Sequence, residues 1–229
     1  MNIIVIGGTR GIGKELVLIM AQDINNQILV TGRNEDVLKS LSSRFQNVDT
    51  LTLDLSAFDA KLELFRKRVN DNFKQVDILI NMAGFLIAKE FADIEIMEAR
   101  MMMEINFFGP ASIIRVLKPL MSHGSHIINI ASMGGFQGSA KYKGLSYYSA
   151  SKAALACLSE CLAEEFKESG ISVNCLALGS VRTEMFNEAF TGYKALLSAT
   201  EMAEFISDFA LKGHKYMNGK IIPVALNNP

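Results

Sequence analysis

Ile3-Ile-Val-Ile-Gly-Gly-Thr-Arg-Gly-Ile-Gly13 begins as an apolar run, turns on glycine and continues with helical periodicity. Its glycines at 7, 11 and 13 follow G-x-x-x-G-x-G, a different spacing from the G-x-G-x-x-G fingerprint of dinucleotide sites. The physics is shared. Glycine permits a tight turn and close approach of backbone to ligand, and a helix start offers free N–H groups to a pyrophosphate. Such a turn can also serve only to pack a helix on a strand, but its place on the first strand–helix unit favours nucleotide binding. Gly7, Thr9, Arg10, Gly11, Ile12 and Gly13 are the first candidate binding residues.

Outward from that unit, strand-like runs recur at 2–6, 27–31, 48–53, 76–81, 125–131, 171–176 and 220–224. Several are unbroken Ile/Val/Leu stretches, the pattern of strands buried on both faces. Helical patterns fill the gaps at 11–21, 35–44, 57–73, 94–121, 146–169 and 200–211. Regular β–α alternation predicts an α/β, doubly wound fold: a mostly parallel seven-stranded sheet with helices on both faces. No linker, repeat or composition shift divides the chain, so one domain is expected over 1–229.

At 229 residues and 49% hydrophobic content, a large core can be built. A formal net charge of -1 gives no reason to expect nucleic acid or an anionic membrane surface as partner. Three unclustered cysteines argue against a disulfide framework. Cys157 and Cys161, four apart on a helix, lack a third ligand nearby and read as small core residues, so no metal is expected. No apolar run reaches the roughly 18 residues of a membrane helix. The first strand starts near residue 2 and leaves no room for a signal peptide, which makes the cytoplasm the expected compartment.

The ends of the next strands speak to the ligand. An NAD site usually places a carboxylate about 20 residues beyond the glycines, on the ribose hydroxyls. Here the second strand ends Thr31-Gly-Arg33, with no carboxylate before Glu35. Arg33 can instead fork onto a 2′-phosphate, with Arg10 as a second clamp, so NADP is expected over NAD. Asp54, ahead of Leu55 at the end of the third strand, could accept from an adenine amino group. Asn81-Met-Ala-Gly84 ends the fourth strand, where small Ala83 and Gly84 would let a cofactor lie against the backbone.

Tyr148 and Lys152 stand four apart in Ser146-Tyr-Tyr-Ser-Ala-Ser-Lys152, on one face of the expected helix. An ammonium beside a phenol favours the phenolate. A unit charge ~4 Å away at an effective dielectric of ~20 is worth about 4 kcal/mol, which would lower the phenol by a few units before desolvation opposes it. Tyr216 and Lys220 share the spacing, but Gly219 lies between them in a short connection; Tyr147 is followed four residues on by Ser151, which carries no charge.

Together these residues resemble the short-chain dehydrogenase/reductase family, in its compact branch with a Rossmann-type fold. The resemblance rests on the glycine turn at 7–13, Asp54, Asn81-Met-Ala-Gly84, Asn106, Ser132, Tyr148-x-x-x-Lys152 and Ile171-Ser-Val-Asn-Cys-Leu-Ala-Leu-Gly-Ser-Val-Arg-Thr183, in that order. It implies a catalytic tetrad. Tyr148 would exchange a proton with the substrate oxygen, and Lys152 would lower the tyrosine's pKa and hold the nicotinamide ribose. Ser132 would polarise the carbonyl, and Asn106 would order a water relaying protons to Lys152. It also places Gly179, Val181 and Thr183 against the nicotinamide end and implies a homodimer or homotetramer. Apolar Ile113, Ile114, Leu117, Leu120, Leu155, Leu158, Leu162 and Phe166 would be available for the pairing.

The implied activity is reduction of a carbonyl, or oxidation of a secondary alcohol, with 3-oxoacyl-thioester reduction as one subtype. A catalytically silent dinucleotide-binding regulatory or scaffold protein is the alternative. The substrate should lie between 134–144 and 183–197, where Met185, Phe186, Phe190, Tyr193 and Leu197 suggest an apolar pocket and Arg182 is an isolated cation. Ser139 and Ser146 rival Ser132. His123 and His126 flank a turn glycine and read as solvated. Met101, Met102 and Met103 read as core filling. Departures from the family pattern are Ile6 before the first glycine, Leu178 in place of proline, an insertion around 139–144, and a C-terminal run, Ile221 to Pro229, without the usual aspartate and glycines.

Overall fold

The computed structural model describes residues 1–226; the last three residues of the C-terminal run, 227–229, lie outside the described residues. Among the described residues nine strands are formed: β1 (Asn2–Ile6), β2 (Gln27–Gly32), β3 (Val48–Thr52), β4 (Ile78–Asn81), β5 (His126–Ser132), β6 (Ser172–Leu178), β7 (Val181–Arg182), β8 (Leu197–Ser198) and β9 (Ile221–Val224). Eight α-helices are described: α1 (Gly11–Met20), α2 (Glu35–Arg44), α3 (Phe58–Asn72), α4 (Ile96–Met103), α5 (Gly109–Leu117), α6 (Ser146–Glu165), α7 (Glu184–Ala189) and α8 (Ala199–Lys212). Seven strands make one sheet in the order β3-β2-β1-β4-β5-β6-β9, and every pairing in it is parallel. The short β7 and β8 pair with each other beside it.

Strand β1 shows why both faces are covered. Ile3 and Val5 pack into a core with Leu16 and Val17 of α1, Leu38 and Leu41 of α2, and Ile206 of α8. Ile4 and Ile6 point the other way, into a core with Phe65 and Val69 of α3 and Ile113 and Leu117 of α5. Each such Ile, Val or Leu contributes roughly 1.5–3 kcal/mol on burial. Local signals set the helix starts: the Asn34 side chain accepts from the Val37 N–H ahead of α2, and Ser198 and Glu201 form a capping box for α8. The strand order reverses at β1, so β1 and β4 leave a crevice at their carboxyl ends where ligands of open α/β sheets bind.

Three expectations are corrected. The helix expected over 94–121 is broken: α4 gives way to a π-helical turn at Glu104–Phe108 before α5. Pro110 lacks an N–H and so cannot donate to the Asn106 carbonyl four residues back, which removes a rung of the regular ladder. Cys157 and Cys161 are exposed on α6 rather than core residues; only Cys175 is buried. The apolar residues offered to a partner copy are partly taken up at home, since Ile113, Ile114, Leu117 and Leu155 are buried in this chain's own core.

His126 is a fourth correction. It belongs to β5 and is fully buried, while His123 stays exposed. Its Nδ1 lies 3.1 Å from the Ala210 carbonyl and its Nε2 3.0 Å from the Asn174 amide. These partners imply a neutral ring donating at Nδ1 and accepting at Nε2. Burial pushes its pKa down to about 4, and the nearby His214 works in the same direction. Between the unfolded value of about 6.5 and the folded value, only the unfolded chain takes the proton, so stability is lost as pH falls through that window. Relative to His126→Gln, the wild type is expected to lose about 2 kcal/mol in urea unfolding between pH 7.5 and pH 5. A pH-independent difference would show the ring to be hydrated.

Candidate active site

A cavity of about 830 Å³ opens at the carboxyl ends of the central strands. It is lined by Gly7, Thr9, Arg10, Gly11, Ile12, Gly13, Arg33, Asp54, Leu55, Ala83, Gly84, Ser132, Tyr148, Lys152, Gly179, Val181 and Thr183, all expected from the sequence. Asn81 and Asn106 are not on its wall.

The glycine turn is built by close contact. Gly7 has φ +95, and a Cβ there would meet the Ala83 backbone at 2.7 Å. A Cβ on Gly13 would stand 2.1 Å from the Gly7 carbonyl oxygen. Any larger residue would push the turn and α1 apart. No side chain caps α1, so its first N–H groups are open toward the cavity. Arg10 lies 3.9 Å from Glu188 of α7, and Arg33 is exposed at the cavity edge. Asp54 uses one carboxylate oxygen on the Ser56 N–H and hydroxyl, both at 2.9 Å.

Asn81 is instead an internal tie. Its Nδ2 donates to Asn129 Oδ1 at 2.7 Å, Asn129 donates to the Ser159 hydroxyl at 2.9 Å, and that hydroxyl donates to the Leu155 carbonyl. The chain links β4, β5 and α6 beneath the cavity. Asn106 is likewise fully buried. Its side chain accepts from the Phe85 N–H and donates to the Phe85 carbonyl, both at 2.8 Å, and also donates to Ser151 at 2.9 Å. The Ser151 hydroxyl donates in turn to the Tyr148 carbonyl at 2.7 Å. These bonds hold the segment after Gly84 against the helix that carries Tyr148 and Lys152.

Ser132 ends β5 and its hydroxyl accepts from the Gly134 N–H at 3.2 Å. Tyr148 lies in the first turn of α6 and Lys152 one turn further on. The Lys152 ammonium donates to the Ile130 carbonyl at 2.8 Å. A methyl on Gly84 would come 3.4 Å from Lys152 Nζ and 3.7 Å from Asn106 Oδ1, so both groups converge behind that glycine. Thr183 caps α7, accepting from the Phe186 N–H at 3.2 Å. The rivals fall away. Ser139 is bound to backbone carbonyls, Tyr147 stacks on Phe91, and Tyr216 is exposed well outside the cavity. Arg182 does not line it either. Among the described residues no group of three or more potential metal ligands is assembled.

A family model described as short chain dehydrogenase matches residues 1–194. An uncharacterized oxidoreductase of Staphylococcus saprophyticus is 31% identical over 227 residues, covering 94% of this chain and 92% of the relative. The chain belongs to the short-chain dehydrogenase/reductase family. Two solved relatives in fold are a short chain dehydrogenase from Burkholderia cenocepacia in complex with NADP and a 4-hydroxyisoleucine dehydrogenase mutant complexed with NADH and succinate. The first is 21% identical with TM-score 0.84, over 97% of this chain and 95% of the other. The second is 22% identical with TM-score 0.86, over 98% and 96%. As a short-chain dehydrogenase/reductase, the chain is an NAD(P)-dependent oxidoreductase acting between CH–OH and C=O. No described helix is long and apolar enough to cross a membrane.

The residues present fit a dinucleotide. The turn is packed so closely that no side chain can fill the cradle, and the α1 N–H groups face it uncapped. The titration expected of Tyr148 is corrected, however. Burial raises its pKa above the ordinary tyrosine value, and the neighbouring Ser132 hydroxyl only partly opposes this. Burial also lowers Lys152 to about 8. Burial thus pushes both groups toward their neutral forms.

Sequence reading missed part of the wall: Phe85 and Leu86 after β4, Leu145 just before α6, and Ala225 and Leu226 after β9; it gave the segment that holds Tyr142 without singling that residue out. The position of Phe85 and Leu86 directly after Asn81-Met-Ala-Gly84 was the available signal. Tyr142 and Leu226 reach the cavity through long-range packing that no local pattern announces.

Proposed function

We propose that the protein is an NADP(H)-dependent reductase of a carbonyl compound, using the whole of 1–229 as one catalytic domain. The observation that carries the reading is the placement of Tyr148, Ser132 and Lys152 on one cavity wall beside the glycine turn. Tyr148 supplies the proton to the carbonyl oxygen. Its raised pKa keeps the phenol protonated at neutral pH, which suits an acid, and therefore reduction, better than a base. Ser132 donates to the same oxygen. Lys152, anchored on the Ile130 carbonyl, is placed to hold the nicotinamide ribose, and Asn106 fixes the backbone beside it. The bound nicotinamide supplies the hydride.

Two features support NADP. Arg10 and Arg33 both line the cavity. At Gly32, where an NAD-selecting carboxylate could stand, a Cβ would start 2.4 Å from Thr9 Cγ2. Arg33→Ala is expected to weaken NADPH binding about 10- to 100-fold, the worth of one charge-assisted contact, with little change for NADH. Titrations of both cofactors into both proteins check this; equal affinities in the wild type would remove the NADP assignment.

A further inference from the structure

Beyond the reacting centre, the cavity continues between the segments 136–145 and 184–197. Its apolar lining there comes from Tyr142, Leu145, Phe186, Phe190, Tyr193 and Leu196. Four of these six carry aromatic rings. Phe186 and Phe190 pack with ring centroids 5.0 Å apart and an interplanar angle of 37°. Tyr142, Tyr193 and Leu196 are 47%, 75% and 63% exposed, so apolar surface at this mouth stands in water. Such surface around a pocket marks a binding site for an apolar group.

Charged side chains are few at this end. From these two segments, the charged residues past Phe186 on the wall are Lys143 and Lys194, and Lys143 is engaged with Glu90 at 2.7 Å. The polar Thr183 and Glu184 lie on the other side, within 3.2 and 3.5 Å of where a Gly11 Cβ would stand, beside the glycine turn. A polyol would find few partners here, chiefly the Tyr142 and Tyr193 hydroxyls and the Lys194 ammonium. A flat ring system would instead find the paired rings of Phe186 and Phe190.

We infer that the substrate is a carbonyl compound carrying a flat apolar ring system, an aryl or ring-fused ketone, seated between Tyr142 and the Phe186–Phe190–Tyr193 wall. This rests on the reductase reading above and adds the substrate class. In the reaction, the carbonyl carbon gains a hydride from the reduced nicotinamide, which becomes oxidised, and the oxygen gains a proton from Tyr148. The C=O π bond becomes one C–H and one O–H bond, and the product is a secondary benzylic-type alcohol.

The test is binding to the protein saturated with NADP⁺, in which a ketone cannot turn over. The probes are 1-tetralone, 2-octanone and fructose, followed by calorimetry or ligand-observed NMR. Tetralone is expected to bind at least about 10-fold more tightly than the other two. Phe190→Leu, which keeps apolar bulk and removes the ring, and Tyr193→Ala are each expected to weaken tetralone about 3- to 10-fold and leave fructose unchanged. Tighter binding of octanone or fructose, or unaltered tetralone binding in both variants, overturns the inference. Tetralone binding that meets these expectations without NADPH-dependent reduction would retain the ring subsite and reject the reductase reading instead.

Discussion

Tyr148→Phe is expected to lower kcat/KM for ketone reduction by about 10²–10⁴-fold, the usual worth of a positioned proton donor. The substitution removes one oxygen and leaves the ring, so the wall keeps its shape and NADPH still binds. Ser132 cannot take over. Its hydroxyl already accepts from the Gly134 N–H and is a far weaker acid than a phenol. The raised pKa of Tyr148 adds a pH signature. Through neutral pH the phenol stays protonated, and its own loss of activity falls on the alkaline side of the ordinary tyrosine value. Steady-state rates on a ketone panel, with NADPH affinity measured separately, check both parts. Undiminished turnover in Tyr148→Phe would sink the mechanism.

Lys152→Met carries the second large effect, and it has two readouts. Activity is expected to fall about 10²–10³-fold, as when one oriented electrostatic group is deleted. Stability should respond in a pH-dependent way. Lys152 is buried with a pKa of about 8, against 10.5 unfolded, so at pH 7 folding bears a cost of ~3 kcal/mol for keeping the charge. Between these two values the unfolded chain holds more protons, and the wild type gains stability as pH rises. Methionine has no such term. The stability difference between variant and wild type should therefore shift by about 2 kcal/mol in favour of the wild type between pH 7 and pH 9.5. The bond to Ile130 is lost at either pH and cancels from that shift. A flat difference in chemical denaturation would mean that water reaches the ammonium.

The sequence was most legible where the information is local. Unbroken apolar runs announced the sheet because its central strands are buried on both faces. The turn at 7–13 announced the nucleotide end because glycine is the only residue that fits its contacts. It was least legible where side-chain direction depends on distant packing. Asn81 and Asn106 sit at the expected places, yet one turns into a buried amide chain and the other onto Phe85 and Ser151. The π-helical turn came from the combination of a buried amide and Pro110, which a helical period does not register. His126 looked solvated beside Gly124 because its neighbours in space, Ala210 and Asn174, lie 84 and 48 residues away. The direction of the Tyr148 shift was misread for the same reason: spacing gives proximity of charge, while desolvation is set by the whole fold.

The strand order also governs how the molecule is manufactured. β1 precedes β2 and β4 in the chain and ends at the centre of the sheet, between them. Residues 27–32 can join it early, but its other neighbour arrives only with Ile78–Asn81. A chain in which β3, β2 and β1 had paired before β4 docked would leave the β1 edge open and lined by isoleucine and valine, an edge that invites pairing with other chains. The strand that carries the glycine turn thus takes half its pairing from residues 78–81, beyond β2, α2, β3 and α3 in the chain.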